Sequence, residues 1–404
     1  MSDSMRATAA TGAGLVGAAA LALWPCGAPA QTQRPTGYPR SANEREGGPV
    51  TTSAVYTADV IADVAGGRAR GVRYLDNLDL QVAVDAERLV GWRGARAFGY
   101  ILHNNGARFS PALAGDFQIA SNIETGVRAT RLFEAWLEQD IGRSASVKAG
   151  LYNLNSEFDT TLSGTLFLLS SHGMGPDIAQ SGRRGPSIFP VTSVAVRGEV
   201  ALDDRWLVRA AVLDAVPGDP AHPAATAIRL RRRDGALVIA ELARLGTRTK
   251  LAVGSWRYLA RLPRLQDEPR EGDGSRGAYA LVEHQLHGAV RGGAGVSGWL
   301  RYGVADRRYN PAAQYLGGGV VRTGIGAARP DDQIGLSFAA VSFGSRYRRI
   351  ERTGPGELIV EAAYRLVARS WLVIEPDVQW VASPGGRRDV RDALVVALRI
   401  KIGR

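Results

Sequence analysis

The sequence predicts an all-β fold, a transmembrane antiparallel β-barrel of about 16 strands with an inward-folded constriction loop, and three observations carry that prediction. Short stretches in which apolar and polar residues alternate recur along the 404 residues. Beyond residue 30, no segment approaches the roughly 18–20 uninterrupted apolar residues of a membrane helix, so any membrane crossing falls to strands. The third observation is the run from Arg131 to Val196, which alternates at its ends. Its middle carries Gly173, Gly175, Pro176, Gly182, Gly185, Pro186 and Pro190, more than a regular ladder holds. That middle, from about Ser170 to Pro190, reads as a folded loop, expected to turn into the barrel.

The elements follow in chain order. Residues 1–30 read as an export signal, with Arg6 ahead of an Ala/Leu/Val-rich stretch ending near Trp24 and the small-residue site Ala28-Pro29-Ala30 behind it. The only cysteine, Cys26, lies inside this segment behind Pro25, where a lipoprotein signal wants a small residue. A chain cut before Gln31 therefore has neither thiol nor disulfide. Residues 31–50, rich in Pro, Gly, Arg and Glu, read as a periplasmic extension or linker, and residues 51–404 as the barrel. No shift in composition divides the latter into domains.

Leu78, Leu80, Val82 and Val84 interleave with Asp79, Gln81 and Asp85. Phe133, Ala135 and Leu137 fall on one face of their stretch, with Glu134, Trp136 and Glu138 on the other. Trp206, Val208, Ala210 and Val212 alternate with Arg205 and Arg209, and Val360, Ala362 and Tyr364 with Glu361 and Arg365. Leu394, Val396, Leu398, Ile400 and Ile402 oppose Arg399 and Lys401. One such strand also fits a soluble sandwich, but repetition along the whole length, with both signs of charge on the polar face, favours a barrel. Closure requires the last strand to pair with the first, expected over Ser53 to Val64, because an open edge in hydrocarbon leaves backbone groups without partners. Dividing the chain into strand-plus-connection units gives about 16 strands, with about 14 or 18 equally compatible with spacing alone.

Charge and motifs bound the function. Against 50 Lys and Arg stand 39 Asp and Glu, a net +11. The signal holds one charge of each sign, Arg6 and Asp3, so its loss leaves this balance unchanged. The arginines are scattered, and the densest run, Arg231–Arg233 beside Asp234, reads as a solvated loop and not as a nucleic-acid site. Gly293, Gly295 and Gly298 spell GxGxxG, but a strand-like stretch from Trp299 to Val304 follows, so no helix N-terminus receives a pyrophosphate. His284 and His287, three apart on a strand, point to opposite faces and make no metal pair. No cofactor, metal or catalytic set stands out, although barrel enzymes exist that such an absence does not exclude.

The run from Arg131 to Val196 also carries a resemblance. Gly150 to Asp159 (GLYNLNSEFD), Ser170 to Gly173 (SSHG) and Gly185 to Ser193 (GPSIFPVTS) are similar to segments of the OprB-type carbohydrate-selective porins, in family order. Tyr74 to Gly91 and Glu375 to Gly386 resemble the same family, so the likeness spans about residues 50–404. It implies a 16-stranded barrel in the bacterial outer membrane, no catalysis, and passive carbohydrate-selective diffusion of mono- or oligosaccharides. Outer-membrane lipid, lipopolysaccharide and the barrel assembly machinery are the further partners expected. The family's aromatic C-terminal residue is missing, since the chain ends Ile400-Lys401-Ile402-Gly403-Arg404. That departure bears on assembly, not on fold.

A sugar needs donors and acceptors for its hydroxyls and aromatic faces for its CH groups. The expected pore lining combines both: Glu134, Trp136 and Glu138; Asn153, Asn155, Glu157 and Phe158; Arg183, Arg184 and Phe189; Arg197 and Glu199. The competing reading makes each an ordinary wall or loop residue. A general or anion-leaning porin on the same barrel is the nearest functional alternative, and a soluble periplasmic β-rich binding protein a more distant one. Mass spectrometry of the protein recovered from outer membranes is expected to find an N-terminus near Gln31, and an intact Met1 there would refute the signal assignment.

Overall fold

The structure, a computed structural model, describes residues 48–265, 271, 272, 274–288 and 290–403. The export signal and nearly all of the extension therefore lie outside the described residues. In chain order the strands are β1 (Val50–Gly67), β2 (Gly71–Asp85), β3 (Ala95–Asn104), β4 (Ala129–Ile141), β5 (Ala145–Tyr152), β6 (Ser193–Ala201), β7 (Trp206–Asp214), β8 (Ala236–Leu245), β9 (Thr249–Leu259), β10 (Leu262–Pro263), β11 (Glu271–Gly272), β12 (Arg276–His287), β13 (Gly295–Ala305), β14 (Ala312–Thr323), β15 (Gln333–Phe343), β16 (Gly356–Arg369), β17 (Leu372–Ala382) and β18 (Arg391–Gly403). All but β10 and β11, which pair only with each other, form one closed antiparallel barrel of 16 strands.

Closure is made by β1 against β18, with Val55 opposite Gly403 and Asp59 opposite Arg399. The first strand is longer than the expected Ser53–Val64, because β18 continues to offer partners as far as Gly67, with register shifts near Asp63 and Ala65.

The alternation maps onto the wall as a barrel requires. Val60, Leu80, Leu137, Val212, Leu300, Leu336, Val378 and Leu398 project outward and are exposed. An apolar belt on this scale suits hydrocarbon and not water. Trp92, Trp206 and Trp371 are exposed at the end of the barrel that holds both termini, and Tyr74, Tyr302 and Trp380 near the opposite end. Two such girdles mark the two membrane interfaces. The connections at the terminal end are short, whereas residues 105–128, 153–192 and 215–235 connect strands at the other. By the usual asymmetry of outer-membrane barrels, the long-connection end faces outward from the cell. Among the described residues, no helix is long and apolar enough to cross a membrane.

One expected register is corrected. Ala135 and Leu137 do face outward, but Phe133 is 2% exposed and faces inward, its ring centroid 5.0 Å from Tyr100 and 6.2 Å from Phe189. The cause is a bulge: Tyr100 pairs with Glu134 and the next residue, Ile101, with Leu132, so Phe133 has no opposite number. An inserted residue puts two successive side chains on the same side, and Phe133 joins Glu134 inside.

The interior is filled by two segments. Residues 153–192 run across the lumen, extending well beyond the Ser170–Pro190 loop expected to fold inward. Residues 105–128 join them, which the sequence reading missed. Tyr152, Leu154, Phe158, Met174 and Ile178 pack against Leu237, Ile239, Trp256 and Tyr258 of the wall. Phe109, Leu113, Leu168 and Leu169 pack against Ile61, Leu75, Ile359 and Val395. The inner wall is therefore apolar beneath the folded segments and polar elsewhere.

Replacing outward Leu137 with Arg is expected to cost roughly 2–4 kcal/mol near the midplane. Phe133→Arg, in contrast, should disturb the packing with Phe189 without placing a charge in lipid. Urea titration with heat-modifiable gel mobility measures the first. A single-Cys variant at 136 that resists water-soluble thiol reagent while one at 137 reacts would reverse the register.

Candidate functional site

Irregular backbone inside a barrel needs partners for its N–H groups, and the wall supplies them through inward carboxylates. Glu241 on β8 accepts from Asp159 N at 3.0 Å, and Glu283 on β12 from Ser163 N at 2.6 Å. Glu361 on β16 accepts from Leu168 N at 2.6 Å and Leu169 N at 3.2 Å. For the second segment, Glu357 on β16 takes Phe117 N at 2.7 Å and Gln118 N at 3.1 Å. These four glutamates are at least 97% buried and sit on the polar phase of their strands.

Arginines add the second set of anchors. Arg301 on β13 donates from Nε to Asp159 at 3.0 Å and from Nη2 to Asp159 at 2.8 Å and Asp177 at 3.1 Å, and Nη1 also meets Asp177. One fork thus pins two points of the 153–192 segment. Burial pushes the Asp177 carboxyl upward, and the Arg301 charge only partly offsets this. Arg399 on β18 makes a two-point contact with Asp59, at 2.7 and 2.8 Å, and Asp59 also accepts from Ser121 Oγ at 2.6 Å. His172 sits within the packing at 2.9 Å from Ser337 Oγ, and burial takes its pKa down to about 3, so it is a neutral hydrogen-bonding group.

Of the residues expected to line the pore, most gather on β4 and β6 with the start of the 153–192 segment. Glu138 accepts from Arg197 Nη2 and Ser146 Oγ, both at 2.8 Å. Glu157 accepts from Arg197 Nε and Nη2 and from Lys148 Nζ, each at 2.7 Å. Burial alone would push the Glu157 carboxyl up, but Lys148 and Arg197 outweigh it and hold it well below the usual range. Glu199 accepts from Arg209 Nε at 2.9 Å. Glu134 takes Trp136 Nε1 at 3.1 Å and Asn153 N at 3.2 Å. Asn153 Oδ1 accepts from Asn155 N at 3.1 Å, and Asn155 Nδ2 donates to Phe158 O at 3.2 Å and Gly173 O at 3.0 Å.

Beside this network lies a run of aromatic rings. Phe98 stacks on Trp136 with centroids 5.2 Å apart, and Tyr100, Phe133 and Phe189 continue edge to face. Lys148 Nζ stands 4.0 Å over the Trp136 ring. Trp136, Phe98 and Phe189 are half-buried.

Three expected residues are placed apart from this cluster. Phe158 is fully buried in the apolar packing, with Arg209 near its ring, and presents no face to the lumen. Arg183 and Arg184 are exposed on a turn of the folded segment and border a mouth cavity of about 740 Å³ that Arg229, Arg231–Arg233 and Arg261 also line. Lys148, Arg209, Glu241, Arg301, Asp159 and Asp177 were missed. For those on strands the signal was a single charge inside an apolar alternating stretch, as with Glu241 in Leu237–Leu242 and Arg301 in Trp299–Tyr302, whereas Asp159 and Asp177 stand in irregular stretches without that signal. Among the described residues, no group of three or more His, Cys, Asp or Glu side chains is arranged to hold a metal ion.

A closed barrel with an apolar belt outside and a charged, loop-filled lumen inside is an outer-membrane porin. The profile of the carbohydrate-selective porin, OprB family, matches residues 69–403, and the chain belongs to that family. Porin B of Pseudomonas aeruginosa is 24% identical over 394 residues, covering 86% of each chain. The high-pH structure of Pseudomonas putida OprB superimposes with a TM-score of 0.79 at 18% identity, over 90% of this chain and 96% of that one. The outer-membrane channel DcaP of Acinetobacter baumannii gives 0.53 at 11% identity, over 88% and 97%. The protein is a carbohydrate-selective channel of the bacterial outer membrane and not an enzyme.

Arg301→Leu is expected to destabilise the barrel by about 3–5 kcal/mol, since it strands two buried carboxylates. Thermal unfolding in detergent measures this, and Arg301→Leu combined with Asp159→Asn and Asp177→Asn should recover much of the loss. A pH effect follows from Asp116 in the 105–128 segment. Burial, with Glu357 and Glu124 close by, pushes its pKa up to about 8. The folded state holds this proton more tightly than the unfolded chain, so the contribution is complete at acid pH and is lost as pH rises through about 8. Proteolysis of the 105–128 segment should accelerate between about pH 4 and 8 in the wild type and much less in Asp116→Asn.

Proposed function

We propose that sugars pass along the cluster on β3 to β6, with the two inward segments as the constriction. Glu134, Trp136, Glu138, Asn153, Asn155, Glu157, Arg197 and Glu199 shape this path, and Phe189 borders it. The observation that carries the reading is the half-buried aromatic run of Phe98, Trp136 and Phe189, set against a pre-paired network of carboxylates, guanidinium groups and an ammonium.

That combination suits a neutral polyhydroxylated solute. Aromatic faces take its CH groups, and the paired charges offer donors and acceptors in fixed positions without presenting one dominant sign. Because Glu138, Glu157 and Arg197 already satisfy one another, a passing hydroxyl exchanges water for a polar wall at little net gain. Weak, distributed binding is what a channel requires, since a site that held the sugar would stop its exit. Phe158 supports the segment from beneath.

The division of the chain belongs to the same proposal: residues 1–30 are removed on export, 31–50 form a periplasmic extension and 51–404 build the barrel. Mono- or oligosaccharides are the solutes, lipopolysaccharide and lipid surround the belt, and the barrel assembly machinery inserts the chain.

Liposome swelling with a panel of neutral mono- and disaccharides, paired with sugar block of single-channel current, tests the path. Trp136→Ala and Phe189→Ala should each raise the half-blocking concentration of glucose about two- to tenfold, the worth of one aromatic contact. Unchanged block in both properly inserted variants would place the path elsewhere in the lumen.

A further inference from the structure

The arginine run that the sequence reading set aside as a solvated loop is built into the mouth of the channel. Residues 215–235 connect β7 to β8 at the end with the long connections, and they meet the 182–185 turn of the inward segment. Between them and the top of β9 lies the cavity of about 740 Å³, a size that admits a whole monosaccharide with its water.

Its lining is almost entirely of one sign. Arg183 and Arg184 come from the inward segment, Arg229 and Arg231–Arg233 from the 215–235 connection, and Arg261 from beyond β9. Among the described residues that line it, Asp234 is the one acidic side chain. Arg229 is held by Asp219, and Arg183 Nη2 donates to Arg261 O at 2.9 Å, so these two are positioned by the fold. Arg233 approaches Asp234 only to 3.9 Å, and its side chain is 75% exposed.

A second observation comes from the wall. Arg131, near the upper end of β4, is 4% exposed and reaches the same 215–235 connection, where Nη2 donates to the Pro223 carbonyl. Its Nε and Nη1 are buried without a hydrogen-bond partner. A buried guanidinium with two unmet donors adds positive potential below the connection that carries the arginine run.

We infer that this vestibule recruits anionic sugars: monosaccharides that bear a carboxylate or phosphate. The guanidinium fork suits both groups and keeps its charge at any physiological pH. Like charges held this close repel one another, and an anionic solute relieves that repulsion on arrival. Seven guanidinium groups around one mouth also focus the field outward, which raises the local concentration of anions at the entrance. The sugar body then continues along the path proposed above, so the inference rests on that reading and names the solute class that the mouth selects.

The test uses the mature, full-length protein in planar bilayers of zwitterionic phosphatidylcholine free of lipopolysaccharide, which removes the net-anionic phosphates of lipopolysaccharide as competing occupants. Glucose and glucuronate form the matched pair, since they differ only in the carboxylate at one carbon, and acetate supplies the charge without the sugar. Added at the long-connection end in about 0.1 M salt, glucuronate should block at a concentration at least about tenfold below glucose. The difference should shrink toward about 1 M salt as the charges are screened. Acetate should not block. The triple variant Arg231→Ser, Arg232→Ser, Arg233→Ser, whose three side chains are exposed and are not among the path residues, should lose the glucuronate preference and keep its glucose block.

Equal block by the two sugars in the wild type would overturn the inference while leaving the neutral path intact. So would undiminished glucuronate preference in the triple variant, or acetate acting as well as glucuronate. Block by neither sugar would instead sink the path on which the inference stands.

Discussion

The lumen depends on one constraint: backbone that leaves the sheet inside a barrel must find hydrogen-bond acceptors, and water alone does not supply them where packing excludes it. Glu241, Glu283, Glu361 and Glu357 meet that need by accepting N–H groups of the inward segments. They stand on four places around a closed ring, three strands of which are far from the segments in sequence. The wall fixes where the segments lie, and the segments give the wall glutamates a reason to be buried. Neither half stands without the other.

This mutual dependence explains why charge in the lumen is paired in advance. A carboxylate that caps backbone N–H groups, or a guanidinium that grips two aspartates as Arg301 does, is already satisfied before any solute arrives. Such groups shape a passage without binding tightly to what moves through it. The mouth is organised on the opposite rule, because among the described residues that line it arginines outnumber acids. A channel with an unbalanced entrance and a balanced interior can sort solutes by charge first and by shape afterwards.

Both faces of the wall carry apolar residues, for different reasons. Outward leucines and valines face lipid, whereas Leu237, Ile239, Trp256 and Ile359 face inward beneath the folded segments. The barrel therefore has a core of its own, and the segments behave as part of it. Truncating them would expose that inner apolar surface to water, which ties channel architecture to stability.

The sequence by itself determined the wall. Period-two alternation in Leu78–Val84, Val360–Tyr364 and Leu394–Ile402 fixes which side chains face lipid, because a strand has only two faces and lipid accepts only one kind of residue. Pairing of the last strand with the first was legible for the same physical reason, since hydrocarbon tolerates no open edge. The Gly and Pro density before Pro190 likewise announced a loop. Only the tertiary structure decided the rest. The bulge that turns Phe133 inward is a property of the β3–β4 pair, not of β4. The 105–128 segment carries no alternation to mark its course, and its place is set by Glu357 more than 200 positions later in the chain. Likewise Arg183 and Arg231, which stand out in the sequence only separately, became one surface when the inward fold of 153–192 brought them to the same mouth. Local periodicity encodes a face, but contacts between distant segments exist only once the barrel has closed around them.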